Sequence, residues 1–252
     1  MKLTLRYALL ASLIFSGAAP AGAEGFVDVF AGAATFAPVD VTESRVQIAY
    51  PVEHNQSANN ISIANSPAGG LRIGGIHKWD HFSLGGAFVM DFYSVKANFQ
   101  YPTSSEIASI PSKSFYATPQ QGGTIWQPGG DFIVGIPLRF IRLYGGVGLS
   151  VPIMFYKYTS YDANANTYSP DAMGSSAALA YNSFLGARWL ISNNFNIFLE
   201  DRFTDLFTPL VIKNSYYSDP SHGNLGIEDS SFTLKSLHSN RVVFGVGFAW
   251  GS

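Results

Sequence analysis

The chain has 252 residues, 47% of them hydrophobic, 15% aromatic and 13% charged, with no cysteine and a formal net charge of −2. Nothing in that balance attracts nucleic acid, and without cysteine there is neither a disulfide framework nor a thiolate metal site. At the N-terminus, Lys2 and Arg6 precede a short apolar run from Tyr7 to Ala19, and Ala21-Gly22-Ala23 supplies a small-residue ending. This is the pattern of a secretory signal peptide over 1–23, with cleavage after Ala23. The run is too short for a membrane helix, which needs roughly 20 residues. Loss of Lys2 and Arg6 leaves 13 basic against 17 acidic residues in the expected mature chain, 24–252. No segment of that chain approaches a spanning helix, so an apolar exported protein of this kind points to a barrel.

Eight candidate strands follow, near 25–37, 70–79, 82–93, 129–139, 142–156, 177–191, 195–207 and 237–250. The first is weakly marked, with Val27 and Val29 on one face and Asp28 on the other. The third alternates most cleanly, with Phe82, Leu84, Gly86, Phe88, Met90 and Phe92 opposed to Ser83, Gly85, Ala87, Val89, Asp91 and Tyr93. The fourth sets Phe132, Val134, Ile136 and Leu138 against Asp131, Gly135 and Arg139, and Pro137 is expected to mark a bulge near the rim. In the fifth, Leu143, Val147, Leu149 and Val151 oppose Arg142, Tyr144, Gly146, Gly148 and Ser150. The sixth and seventh form a hairpin through Ser192-Asn193-Asn194; Asn182, Gly186 and Arg188 share its polar face with Asn196 and Glu200. Asp201 breaks the pattern, because on a regular strand it faces away from Glu200. A bulge at Glu200–Arg202 would turn both carboxylates inward.

The connections decide the solvent. Strands two and three, four and five, and six and seven are joined by turns of two or three residues, whereas 38–68, 94–128, 157–176 and 208–236 are long polar loops. Loops of that length are uncommon in compact soluble domains. Their strict alternation with short turns fits an all-β, eight-stranded antiparallel transmembrane up-and-down barrel, with short periplasmic turns and long extracellular loops. A soluble lipocalin-like barrel would not need outward faces so continuously apolar.

The last strand carries Val242, Phe244, Val246, Phe248 and Trp250 on one face and Gly245, Gly247 and Ala249 on the other. With the signal peptide, the eight strands and this terminal aromatic strand, the mature chain resembles the small outer-membrane barrels of Gram-negative bacteria, the OmpA-like and OmpX-like class. The resemblance implies residence in the cell outer membrane among its lipids. It also implies an assembly signal at Phe248 and Trp250, read by the outer-membrane assembly machinery, although Gly251 and Ser252 follow where the class usually ends on the aromatic.

By parity, the lumen is expected to hold Asp28, Asp91, Asp131 and Glu200 together with Arg72, Lys78, Arg139, Arg188, Arg202 and Arg241. In a narrow bore, such charges must pair. Catalysis has one candidate, His238 with Ser239, which resembles the His and Ser of lipid A deacylating barrels; adjacent residues on a strand, however, point to opposite faces. The remaining histidines show no metal-ligand spacing, and neither metal nor cofactor is expected. Loop tyrosines, including Tyr156, Tyr158, Tyr161, Tyr168, Tyr216 and Tyr217, suit either a recognition surface or the outer aromatic girdle. The pattern therefore leads to a monomeric, non-enzymatic barrel with a structural and surface-interaction role toward an extracellular ligand or host surface. A narrow solute channel and a lipid A-modifying enzyme are the alternatives.

Overall fold

In a computed structural model, the described residues are 23–47, 53–98, 120–162, 167–217 and 227–251. Residues 1–22, which hold nearly all of the expected signal peptide, lie outside them. The regular elements among the described residues are all strands. In chain order they begin β1 (Ala23–Phe36), β2 (Val39–Gln47), β3 (Glu53–Ile61), β4 (Ser66–Lys78), β5 (Ser83–Asn98), β6 (Gln120–Pro137) and β7 (Ile141–Ser150). They continue as β8 (Ile153–Asp162), β9 (Thr167–Ala177), β10 (Ala180–Leu190), β11 (Phe195–Leu206), β12 (Leu210–Tyr217), β13 (Ile227–Leu234) and β14 (Ser239–Trp250).

Eight of these close a wall in the order β1-β4-β5-β6-β7-β10-β11-β14, with β14 returning to β1, all antiparallel. Its register fixes its shape. Stepping from partner to partner, Phe26 leads to Gly74, Ala87, Asp131, Gly148, Asn182, Thr204, Ser239 and back to Phe36, ten residues further along β1. A stagger of that size over eight strands tilts them by about 40° and leaves a bore that side chains fill.

Alternation then sorts the residues. On β14 every inward residue from Ser239 to Ala249 is buried and every outward one exposed. Leu143, Val147, Phe132, Val29 and Phe244 stand outward and open to the surroundings. Aromatics cluster at the two ends of this belt. Trp79 stacks on Phe82 at 4.6 Å and Phe248 on Trp250 at 6.4 Å at the short-turn end, while Trp126 meets Phe92 at 5.6 Å and Phe155 at 5.5 Å at the other. An apolar band bounded by aromatic girdles around a closed barrel is the surface of an outer-membrane protein, and the short turns mark its periplasmic end.

Two expectations need correction, and one open point is decided. The long connections are not irregular: 38–68 contains β2 and β3, 208–236 contains β12 and β13, and β5 and β6 run on together to Asn98 and Gln120. Loop backbone satisfies its N–H and C=O groups by pairing. The four strands β12-β13-β2-β3 form a second sheet above the wall. Likewise β8 and β9 continue β7 and β10 in the same register; the break falls at Val151-Pro152, where Pro152 has no N–H to give. Second, Pro137 makes no bulge, since it ends β6 and pairs in register with Arg142. The bulge left open at Glu200–Arg202 is absent, and β11 is regular there. Asp201 lies opposite Leu185 and Val242 and faces outward, because straight alternation is what sends both Glu200 and Arg202 into the bore.

The topology makes a direct prediction. An epitope inserted at Asn59, on exposed β3, will be cut by protease added to intact cells, and one at Asn193, in the β10–β11 turn, will be cut only after the outer membrane is opened. The reverse pattern would invert the barrel.

Candidate functional site

The interior is stacked in layers. Inward glycines on several strands make room for rings: a Cβ at Gly245 would lie 2.3 Å from Phe198, and one at Gly146 2.5 Å from Phe184. Phe26, Phe30, Tyr144, Phe184 and Phe198 thereby fold against the wall as the lower core. Between them run five buried arginines, Arg72, Arg142, Arg188, Arg202 and Arg241, matched among the described residues by five buried carboxylates, Glu24, Asp28, Asp91, Asp131 and Glu200.

These charges form one connected chain for most of the bore. Arg188 Nη2 donates to Asp28 Oδ2 at 2.6 Å, and Arg72 Nε donates to the same oxygen at 3.0 Å. Arg72 Nη1 then reaches Glu200 Oε2 at 2.7 Å. Arg202 continues from there, donating through Nε to Glu200 Oε1 at 3.1 Å and through Nη2 to Asp131 Oδ2 at 2.8 Å. Its Nη1 approaches Asp91 Oδ2 at 3.8 Å, where Arg241 Nη1 donates at 2.7 Å. The guanidinium planes also lie over rings: Arg202 stands 4.9 Å above Phe184, Arg72 5.4 Å above Phe198 and Arg241 5.0 Å above Tyr93. Arginine suits this position because its planar fork serves two carboxylates while its face rests on an aromatic. At the periplasmic mouth a smaller cluster joins Glu24 to Lys78 and, at 3.8 Å, to Arg142.

Above the charges lies a neutral polar layer. Arg241 Nη2 donates to Thr204 Oγ1 at 2.5 Å, Thr204 to Asn182 Oδ1 at 2.8 Å, and Gln127 Nε2 to Asn182 Oδ1 at 2.8 Å and Ser150 Oγ at 2.9 Å. Tyr93 Oη closes the layer on Gln127 Oε1 at 2.7 Å. Above that, Val39 and Val41 of β2, Leu210 of β12, Leu234 of β13 and Leu237 pack with Ile125 of β6 and Met154 of β8, each at most 2% exposed. The extracellular strands therefore seal the barrel with an apolar core.

Of the residues expected in the lumen, Asp28, Arg72, Asp91, Asp131, Arg188, Glu200, Arg202 and Arg241 are brought together as described. Lys78 sits at the mouth with a side chain 40% exposed. Arg139 is outside, exposed in the turn after Pro137 with its guanidinium 5.0 Å over Phe140; β6 has ended there, so its parity no longer applies. Arg142 takes the inner position. Glu24 lay one residue before the expected first strand, and its place opposite Ile76 on β1 identifies it.

His238 and Ser239 are not brought together. Ser239 is buried inside the wall, whereas His238 lies outside with Nδ1 2.9 Å from Asp205 Oδ1 and its ring stacked on Phe203 at 6.2 Å. Tyr156 is buried in the apolar seal, so it serves neither girdle nor recognition. The side chains of Tyr158, Tyr161, Tyr168, Tyr216 and Tyr217 lie outside the described ones. Phe248 and Trp250 stand outward at the end of β14. Among the described residues no group of three or more His, Asp or Glu gathers as a metal site.

The structure is similar to Neisserial surface protein A (11% identity, covering 89% of this chain and 96% of that one, TM-score 0.44). It is similar to outer membrane protein OprG from Pseudomonas aeruginosa (10%, 90% and 97%, TM-score 0.47) and to the outer membrane protease OmpT from Escherichia coli (12%, 90% and 97%, TM-score 0.41). With TM-scores below 0.5, these likenesses add nothing to what the chain's own geometry establishes. No family model matches the chain, and no curated protein is similar to it in sequence.

Removing one member of the network strands the others. Glu200→Ala leaves Arg72 and Arg202 facing each other without their shared carboxylate, and the expected loss is about 3–5 kcal/mol of unfolding free energy. Urea unfolding in detergent or lipid measures it; a loss below about 1 kcal/mol, the range of exposed pairs, would show that the bore is wet and the pairs screened.

Proposed function

We propose that this outer-membrane barrel is a structural and surface-interaction protein. On this reading the wall serves as a rigid post, and the extracellular sheet β12-β13-β2-β3, with the β8–β9 hairpin beside it, is the surface offered to an extracellular ligand or host surface. The observation that carries this reading is the filled bore: among the described residues, ion pairs, then amides and hydroxyls, then a buried apolar layer occupy it in turn. A solute channel needs a continuous aqueous path. A lipid-modifying enzyme of the Ser and His type needs the two side chains on one face, and here the wall separates them. Export through the signal peptide 1–23 and recognition of Phe248 and Trp250 by the assembly machinery belong to the same proposal.

Two measurements test it. In planar bilayers the refolded protein is expected to show no steady conductance, at most small and intermittent events; stable ohmic channels would make the channel reading the better one. Cells displaying the barrel are expected to adhere to an array of extracellular matrix proteins and glycans. Replacing residues 48–52, between β2 and β3, by a Gly-Ser linker should abolish adhesion while β content and surface level stay unchanged. Adhesion that survives this change, or none by the wild type, would count against the recognition role of the sheet.

A further inference from the structure

At mid-depth the outward side chains of the wall are apolar among the described residues except on one face. There Asp201 of β11 is the fourth of seven outward residues from Phe195 to Phe207, and so half-way across the belt. It is exposed and has no hydrogen-bond or ion-pair partner among the described residues. Its direct partner on β10 is Leu185. Because the stagger of ten residues is spread over eight strands, each strand is offset from the next by slightly more than one residue. The outward β10 residue nearest to Asp201 in height is therefore Ser183. A carboxylate and a hydroxyl thus stand side by side, framed by Leu185 (70% exposed), Val242 (53%) and Phe203 (40%).

Acyl chains offer such a carboxylate no hydrogen bond. Among the described residues the wall offers no cation at this depth, and no residue of the same copy, Ser183 included, makes a hydrogen bond to Asp201, so the donor must come from outside. We propose that this face is the contact between two copies of the barrel in the plane of the membrane. A two-fold axis along the membrane normal matches equal depths automatically and makes the surface self-complementary. The Ser183 hydroxyl of each copy then donates to the Asp201 carboxylate of the other, while Leu185, Val242 and Phe203 pack around the pair. A different protein would have to bring its own donor to that depth, whereas a second copy carries Ser183 there by construction. The monomer expected from the sequence is revised accordingly, and the contact stands whether or not the extracellular sheet proves to be the recognition surface.

The chain has no cysteine, so a single introduced one reports cleanly. Leu185→Cys on the proposed face is compared with Ile73→Cys on β4, outward and 50% exposed on the far side of the barrel, by oxidation in native outer membranes. Each variant is first checked for wild-type β content by circular dichroism, with Val242→Cys replacing Leu185→Cys if the latter misfolds. The expected result is a disulfide-linked species of twice the mass, at least about tenfold more abundant for Leu185→Cys than for Ile73→Cys. Adding Asp201→Leu should bring its yield down to the Ile73→Cys level. Equal yields at both positions, a product with a different polypeptide, or a yield indifferent to Asp201→Leu would each overturn the proposal.

Discussion

Arg202 is the group on which the rest of the interior depends. Its side chain is fully buried, and within reach of its three nitrogens lie Glu200, Asp131 and Asp91, drawn from three strands. A buried guanidinium without partners is among the most costly groups a fold can hold. The register must therefore bring those carboxylates to one height, and a shift of one residue on β6 or β5 would swing Asp131 or Asp91 onto the lipid face. The aromatic rings that floor the site and the glycines that admit them follow from the same requirement, since each guanidinium also needs a face to rest against.

From this constraint the barrel is built outward in both directions. Toward the periplasm the chain of pairs passes through Arg72 and Asp28 to Arg188, with Glu24, Lys78 and Arg142 beyond it. Toward the outside the charges give way to Gln127, Asn182 and Thr204, and these to the leucines and valines of the seal. The gradient from ionic to neutral to apolar removes water stepwise, and it makes the extracellular strands part of the core. Above the membrane stands a four-stranded sheet whose base is anchored in that core.

Much of this was legible in the sequence because a strand buried on one side and lipid-facing on the other alternates strictly. Asp28, Asp91 and Asp131 could be assigned to the interior from parity alone. Parity fails where a strand ends unannounced: Pro137 terminates β6, so Arg139 falls outside, while Arg142 on the next strand keeps the inward place that its own parity gives it. It is silent where both faces of a strand are polar, as in β3, which reads as a loop. It also cannot weigh Asp201 against Glu200. Only the three-dimensional network shows that Glu200 and Arg202 both have partners inside, which fixes a straight β11 and an outward Asp201.

The central claim is that the bore is dry and its charges interlocked. A double-mutant cycle on Arg202 and Asp131, read as urea unfolding free energies in lipid bilayers at low and high salt, tests it most directly. A buried, unscreened pair predicts a coupling well above the 0.2–1 kcal/mol typical of exposed pairs, and no change with salt. A coupling near zero, or one that salt removes, would contradict the account.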